Sequence, residues 1–342
     1  MPATPKSHEG GSLATSLELR VTEQSWPLDK PFRIARGVST EARVVVVTVS
    51  DGEHTGRGEA VPISRYNQNT ASAISQLEKI DIKRAEGRDR RQIQKLLPAG
   101  AARNALDCAL WDLEAKISGK RVSELANIKI VDAVETALTI GLDTPEKMAA
   151  AAQASKTAPV LKLKLGGDNL DLSRVEAVRT AAPAARLLVD ANESWSQSHY
   201  RENAPALRGL GVELIEQPFP ADADDVLETL DHPVPVCADE SCHTTADLPR
   251  LVNRYEAINV KLDKTGGLTE ALLLTERARE SGFKLLIGCM VCTSLGIAPA
   301  RLLASTADYV DLDGPLLLAG DRPHGLSYKN GKIGIPSREL WG

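Results

Sequence analysis

The second half of the chain reads VLKLKL at 160–165, LLVDAN at 187–192, VELIEQP at 212–218 and VPVCADES at 234–241. Each segment is a short β-prone run that ends in a charged or polar residue. Four similar runs lie at 136–141, 257–262, 284–289 and 309–313. The eight runs recur with a period of about 25 residues, which fits a strand, a helix and two loops. Eight such units predict a (β/α)8 barrel of the TIM type.

An open, doubly wound sheet is the alternative for alternating strands and helices. That fold would place a G-x-G-x-x-G segment after its first strand. This chain has only the isolated pairs Gly166-Gly167 and Gly266-Gly267. The barrel is therefore the favoured architecture.

The first part of the 342-residue chain has a different pattern. Its strand-like stretch includes RVVVVTV at 43–49 and the turn signal Asp51-Gly52, and a helical pattern covers 101–117. We therefore predict an N-terminal α+β capping domain at 16–128, with residues 320–342 packing back on it. The catalytic barrel is predicted at 129–319. Residues 1–15 are rich in Gly, Ser, Pro and Thr, and are predicted to be a disordered tail.

Composition excludes several classes of partner. The net charge is -5, with 41 basic and 46 acidic residues intermixed, so nucleic acid is not an expected partner. No apolar run approaches the roughly 18 residues that span a bilayer, and the first residues do not resemble a signal peptide. The five cysteines are an odd number, which argues against a disulfide framework. These features favour a cytoplasmic protein that does not associate with membranes; a homo-oligomer is left open.

Three carboxylates end three consecutive predicted strands: Asp190, Glu216 and Asp239. The carboxyl ends of barrel strands meet on one face, where such anions repel one another unless a cation lies among them. Oxygen ligands without histidine or thiolate favour Mg²⁺ over Zn²⁺, with Mn²⁺ as an alternative.

Two lysines share one face of a predicted strand, because Lys162 and Lys164 are two residues apart. Desolvation and mutual repulsion are expected to lower their pKa from about 10.4 toward about 7 to 8, where a neutral amine acts as a general base. Lys264 is the predicted second base, facing Lys164 across the barrel. Two opposed bases predict removal of an α-proton and its return to the opposite face. Lys162 suits stabilisation of the negative charge that develops.

Five segments together resemble the muconate cycloisomerase subgroup of the enolase superfamily: KLK at 162–164, VDAN at 189–192, IEQP at 215–218, ADES at 238–241 and KLDKTGG at 261–267. Within the subgroup the sequence is most similar to the dipeptide epimerases. The resemblance implies the same metal ligands and the same three lysines. It also implies epimerisation at the α-carbon of a dipeptide's second residue through an enolate, with L-Ala-D/L-Glu of murein peptides as the expected substrate.

The resemblance also implies where the dipeptide binds. Asp311 and Asp313 match the motif that holds the substrate's α-ammonium group, and two same-face carboxylates are a reasonable cation site. The first capping loop departs from the glutamate-specific members, because Ser39 stands where they place an arginine. Arg33 and Arg36 are the alternative residues for holding a glutamate side chain.

Several rival functions share this set of residues. The alternatives are an epimerase for dipeptides with another second residue, an N-acylamino acid racemase, an o-succinylbenzoate synthase, a cycloisomerase and a catalytically inactive binding protein. Asp311 and Asp313 argue against the racemase, synthase and cycloisomerase, because their substrates present no ammonium group. A redox or zinc site at Cys289 and Cys292 is disfavoured because no second such pair exists.

Overall fold

The computed structural model describes residues 17–342, apart from the side chains of residues 85 and 86. The tail predicted at 1–15 lies outside the described residues. In the described chain no helix is long and apolar enough to cross a membrane.

The N-terminal part is an antiparallel sheet with helices packed on one face. Its strands, in the order β1-β2-β3, are β1 Glu18–Ile34, β2 Gly37–Ser50 and β3 Thr55–Ala60. Its helices are α1 Thr70–Leu77, α2 Ala85–Arg88, α3 Arg90–Leu96, α4 Ala101–Ser118 and α5 Val122–Leu125. A 3₁₀ turn at Ser64–Tyr66 connects the sheet to the helices.

Four consecutive valines explain how the cap joins the rest of the molecule. Val45 and Val47 pack in the cluster that contains the apolar face of α4. Val44 and Val46 point to the other side of β2 and belong to the large cluster that includes the barrel helices. Because successive side chains of a strand alternate between faces, a strand that is buried on both faces must be apolar throughout.

The remainder is a barrel of eight parallel strands, as the sequence predicted. A short strand β4 (Ala133–Glu135) precedes it. The barrel strands are β5 Leu138–Ile140, β6 Val160–Lys164, β7 Arg186–Asp190, β8 Val212–Glu216, β9 Val236–Ala238, β10 Ala257–Val260, β11 Lys284–Gly288 and β12 Tyr309–Asp311. Each strand pairs with its sequence neighbour. The backbone N–H of Ala137 donates to the carbonyl of Val310 at 2.8 Å, which brings the first and last strands together in a nearly closed barrel.

Helices and short 3₁₀ turns connect the barrel strands. The helices are α6 Pro145–Ala154, α7 Asp171–Ala181, α8 Gln197–Gly209, α9 Leu248–Leu251, α10 Leu262–Thr265, α11 Leu268–Glu280 and α12 Ser294–Leu303. The 3₁₀ turns are Asp225–Thr229, Thr245–Asp247, Ala304–Thr306 and Gly314–Leu317. The last two strands of the chain pair with each other, and the second of them also pairs with β4. They are β13 Tyr328–Lys329 and β14 Lys332–Gly334.

The C-terminal residues return to the cap. The indole N–H of Trp341 donates to the carbonyl of Cys108 at 3.0 Å, and the Gly342 N–H donates to Asp112 at 2.7 Å. Both partners lie on α4. These contacts support a division that we propose near the predicted boundaries, with a cap up to residue 128 and a barrel at 129–319. Of residues 320–342, the last two contact the cap, whereas β14 pairs with β4 of the barrel range.

Candidate active site

Side chains inside the barrel form layers that follow the two-residue alternation of each strand. The layer nearer the amino ends of the strands is an apolar cluster of Ala137, Val160, Leu188, Leu214, Cys237, Ala257 and Leu286. Two residues further along five of these strands, the interior positions are polar or charged: Lys162, Asp190, Glu216, Asp239 and Asn259. All five are buried. The alternation therefore turns an apolar plug into a charged site at the carboxyl ends of the strands.

Lys162 lies among the carboxylates. Its Nζ is 2.6 Å from Glu216, 2.7 Å from Asp311 and 3.6 Å from Asp190. Burial by itself lowers the pKa of Lys162, but the three carboxylates outweigh burial and hold that pKa well above its ordinary value. The expectation of a lowered pKa for Lys162 is wrong, because its partners are anions from three other strands. A lysine that stays charged suits charge stabilisation better than proton abstraction.

Lys164 lies one interior layer above Lys162. Its Nζ donates to Asp190 at 2.5 Å. Unlike Lys162, it lines a cavity of about 740 Å³ between the cap and the barrel. That volume is typical of a small-molecule site.

Asp239 is held by two lysines, one at each oxygen. Lys261 Nζ is 2.7 Å from Oδ2, and Lys264 Nζ is 2.7 Å from Oδ1. Burial raises the pKa of Asp239, but the two ammonium groups outweigh it and hold the pKa well below its usual value. The Asp239 carboxylate is therefore kept ionised.

The two lysines differ in where they lie. Lys264 belongs to α10, is buried, and donates to the carbonyls of Asp239, Cys242 and Asn259 at 2.5 to 2.9 Å. Lys261 lines the cavity with Lys164. The expectation that Lys264 faces Lys164 across the cavity is thus contradicted, because the chain turns into α10 directly after Lys261.

The sequence carries a signal for Lys261 that the predicted set of lysines did not include. Ala257 and Asn259 face the barrel interior, so the same alternation assigns the next interior position to Lys261. Its backbone is still extended, with φ -119° and ψ 128°. Its strand β10 is four places from β6 in an eight-stranded barrel. Lys164 and Lys261 therefore come from opposite sides of the barrel.

Asp311, at the end of β12, and Asp313, two residues later, lie next to the first barrel strand, β5. Thr139 Oγ1 donates to Asp311 at 3.3 Å, and the Thr139 N–H donates to Asp313 at 2.6 Å. Burial and the charge of Asp311 raise the pKa of Asp313 to about 7. Asp311 also accepts from Lys162.

The three predicted cap residues have different surroundings. Ser39 and Arg36 line the cavity, whereas Arg33 is not part of its wall. Arg36 contacts residues of the barrel. Its Nη2 forms an ion pair with Glu240 at 2.8 Å, and its Nη1 donates a hydrogen bond to the Asn192 carbonyl at 2.9 Å.

The three predicted metal ligands are close enough to influence one another. Burial, the charge of Asp190 and the charge of Asp239 all raise the pKa of Glu216. Within residues 17–342 no three His, Cys, Asp or Glu side chains are arranged around a common metal position. Lysine ammonium groups contact these carboxylates instead. The donor chemistry still suits a hard divalent cation, because every proposed ligand atom is a buried carboxylate oxygen.

The site combines buried carboxylates with two lysines on opposite sides of the barrel. Such a site suits proton transfer at a carbon next to a substrate carboxylate. Two family models match the chain: the mandelate racemase / muconate lactonizing enzyme N-terminal domain over residues 16–126, and the enolase C-terminal domain-like family over residues 146–339. The protein belongs to the mandelate racemase / muconate lactonizing enzyme family of the enolase superfamily.

Two curated relatives illustrate the range of activities nearby. The L-Ala-D/L-Glu epimerase of Escherichia coli (strain K12) is 46% identical over 316 residues, which are 92% of this chain and 98% of the relative. An N-acetyl-D-glutamate racemase from a Pseudoalteromonas species is 44% identical over 301 residues, which are 87% of this chain and 95% of the relative.

Solved structures agree with this assignment. An enolase family member from Agrobacterium tumefaciens, with bound sodium and L-Ala-L-Glu, has a TM-score of 0.93 and 46% identity, covering 95% of this chain and 100% of that one. A dipeptide epimerase from Methylococcus capsulatus, complexed with Mg and L-Arg-D-Lys, has a TM-score of 0.87 and 30% identity, covering 95% and 98%. Of these two neighbours, one was therefore solved with Mg and the other with sodium.

Proposed function

We propose that this protein is a dipeptide epimerase that inverts the α-carbon of the second residue, with L-Ala-D/L-Glu as its substrate. The observation that carries the proposal is that Lys164 and Lys261 line one cavity from opposite sides of the barrel. Bases on both faces of a carbon are what inversion requires. The similarity to the Escherichia coli epimerase supports the choice of dipeptide.

The residues of this chain suggest a division of labour. A neutral Lys164 amine takes the α-proton from one face, and the Lys261 ammonium group returns a proton to the other face; the roles exchange for the opposite stereoisomer. Lys162 stabilises the enolate charge, because its carboxylate partners keep it protonated. Lys264 holds the backbone around Asp239 and takes no part in proton transfer.

A Mg²⁺ ion held by Asp190, Glu216 and Asp239 would stabilise negative charge on the substrate carboxylate as the α-proton leaves. Mn²⁺ has the same ligand preference and is an alternative. The chemistry of these three buried oxygen ligands supports this assignment, as does the magnesium in the Methylococcus capsulatus complex.

We also propose that Asp311 and Asp313 receive the dipeptide's ammonium group. Both are buried carboxylates at the end of the last strand, beside the charged layer. Ser39 contacts the second residue's side chain, since it lines the cavity from the cap. Asp311 and Asp313 lie outside the cavity wall but are buried beside the charged layer, whereas Arg33 is outside the wall and exposed, so Arg33 is not proposed as a contact.

The test is proton exchange in D₂O with Mg²⁺, using L-Ala-L-Glu, a panel of L-Ala-L-X dipeptides and N-acetyl-glutamate. NMR follows deuterium entry and inversion at the α-carbon. The proposal expects L-Ala-L-Glu to be the best substrate. Exchange with N-acetyl-glutamate alone would favour the racemase activity of the Pseudoalteromonas relative and would contradict the ammonium role of Asp311 and Asp313.

A further inference from the structure

Glu193 is a barrel carboxylate that contacts two separate segments of the cap. Arg65 donates to it twice, at 2.7 Å from Nε and 2.6 Å from Nη2, and Arg36 Nη1 lies 3.3 Å away. The Ala221 N–H donates to the same carboxylate at 2.9 Å. Arg36 belongs to the turn between β1 and β2, and Arg65 to the 3₁₀ turn after β3. One side chain therefore holds both cap segments, 34–40 and 63–67, to the barrel.

Arg36 adds a second attachment at Glu240. The Glu240 carboxylate is buried, and neither of its oxygens accepts a hydrogen bond of good geometry. Arg36 Nη2, at 2.8 Å from Oε1, is its ion-pair partner. Removing the cation from a buried carboxylate is unfavourable, because the charge is left without compensation. Movement of the 34–40 segment away from the barrel is thus opposed at two carboxylates.

The backbone that carries Glu193 is in an unusual conformation. Asn192 and Glu193 have φ angles of 46° and 67°, the left-handed region that costs energy for residues other than glycine. The Glu193 N–H donates to the Gln217 carbonyl at 2.8 Å, and the Asn192 carbonyl accepts from Arg36. Such a conformation persists where the surrounding contacts determine it. Here it directs the Glu193 carboxylate toward the cap.

These contacts lie at the edge of the cavity that holds the proposed bases. The segments 34–40 and 63–67 supply half of the cap residues that line it, and Lys164, Lys261 and Asn192 belong to its barrel side. The side-chain oxygen of Asn192 is buried there without a hydrogen-bond partner. The position of the two cap segments therefore sets how firmly a bound dipeptide is enclosed.

We infer that Glu193 is a positioning residue whose carboxylate holds both cap segments closed over the bound dipeptide, and so controls substrate affinity and release. The inference rests on the proposed function only for the identity of the bound molecule. The side-chain partners of Glu193 are Arg36, Arg65 and the Ala221 N–H, so the carboxylate acts through the cap and not on the reacting carbon.

The experiment compares Glu193→Gln and Arg65→Gln with a matched control, Glu213→Gln. Glu213 also pairs with a guanidinium through two donors, those of Arg186, but it lies at the start of β8. Each variant is assayed for KM and kcat with L-Ala-L-Glu, and hydrogen–deuterium exchange is measured for segments 34–40 and 63–67. If the closed population falls to a tenth, KM rises about tenfold, while kcat changes by less than about threefold. Both segments exchange faster in Glu193→Gln and Arg65→Gln, and their exchange is unchanged in Glu213→Gln.

Two results would overturn the inference. One is unchanged KM and unchanged exchange of both segments in folded Glu193→Gln. The other is a large fall in kcat at constant KM, which would assign Glu193 to the chemistry. Arg65→Gln keeps the test valid if Glu193→Gln does not fold. Because hydrogen exchange needs no turnover, a protein inactive on every dipeptide would reject the proposed function and still report on the contact.

Discussion

Lys261 and Lys264 show how much depends on three residues of spacing. Both lie in KLDKTGG, and both contact Asp239 within 2.7 Å. Lys261 continues the interior alternation of β10 and reaches the cavity. Lys264 lies in the helical turn that follows, where three backbone carbonyls surround its ammonium group. The residue that is accessible to a substrate is therefore the one that still follows the strand.

We expect Lys261→Gln to abolish inversion, with a loss of about 10²-fold or more. Lys164 remains, so one diastereomer of Ala-Glu still exchanges its α-proton with D₂O without inverting. NMR of both diastereomers, each in a separate sample, measures this difference.

Lys264→Gln serves as the comparison for Lys261→Gln. It removes a buried cation from Asp239, so the main expected effect is destabilisation of about 3 to 5 kcal/mol. Thermal unfolding measures this loss. A stable Lys264→Gln variant without proton exchange, beside an active Lys261→Gln, would reverse the two assignments.

At the scale of elements, the cap depends on close approach between β3 and α4. A Cβ atom at Gly58 would lie 2.1 Å from the carbonyl oxygen of Ala105, and one at Gly56 would lie 2.1 Å from that of Ala109. Backbone atoms of a helix cannot move aside as a flexible side chain can. The two glycines thus let the sheet reach α4, whose apolar face packs against Val45 and Val47.

Gly58→Ala is expected to destabilise the protein by about 3 kcal/mol, because the added methyl group forces β3 away from α4. Gly209→Ala is the control, since no atom lies within 4 Å of its Cβ position. Urea unfolding of the two variants measures the difference. Equal stabilities would mean that the strand and helix can separate without loss of packing.

Asp107 links the cap helix α4 to the barrel helix α11, accepting from the Thr269 N–H at 2.9 Å. Burial raises its pKa from 3.8 to about 6. The folded state therefore favours the protonated form. Its contribution to stability is complete below about pH 4 and is lost as the pH rises through about 6.

The folded and unfolded pKa values of Asp107 differ by about two, which corresponds to about 3 kcal/mol in total. Wild-type stability should therefore fall by about 2 kcal/mol between about pH 4.5 and about pH 7.5 through this group. Asp107→Asn should show a smaller decrease over the same range. Urea unfolding at both pH values measures the contrast. A parallel pH dependence in the two proteins would contradict the role of Asp107.

At the scale of the whole molecule, the site balances charges that come from many elements. Carboxylates from β7, β8 and β12 meet Lys162 from β6, and Asp239 meets Lys261 and Lys264. Internal ion pairs of this kind compensate buried charge within the protein itself. The barrel is therefore expected to remain folded without a bound metal ion.

Chelation with EDTA should abolish epimerisation and leave the far-UV circular dichroism unchanged, and added Mg²⁺ should restore activity. Bound metal should raise the unfolding free energy by about 2.7 kcal/mol at a hundredfold excess over its Kd. Unfolding on chelation would assign the metal a structural role. Full activity in EDTA would contradict the proposed metal site.

The barrel and much of its charged layer were predictable from the sequence, because strand alternation is local. Runs such as 160–165 and 187–190 display both the apolar positions and the charged ends that the eight strands carry. The cap was predictable for the same reason, from the valine run of β2 and the periodicity of α4.

The tertiary structure alone decided which groups meet. Strand alternation marks Lys261 as an interior residue, but only the folded chain places the Lys264 ammonium group among three backbone carbonyls. It paired Arg36 and Arg65 with Glu193, which are more than a hundred residues apart in sequence. It surrounded Lys162 with carboxylates and so reversed the expected direction of its pKa shift. Periodicity specifies the face on which a side chain lies, whereas ion pairing and pKa depend on distances between segments that only the folded chain brings together.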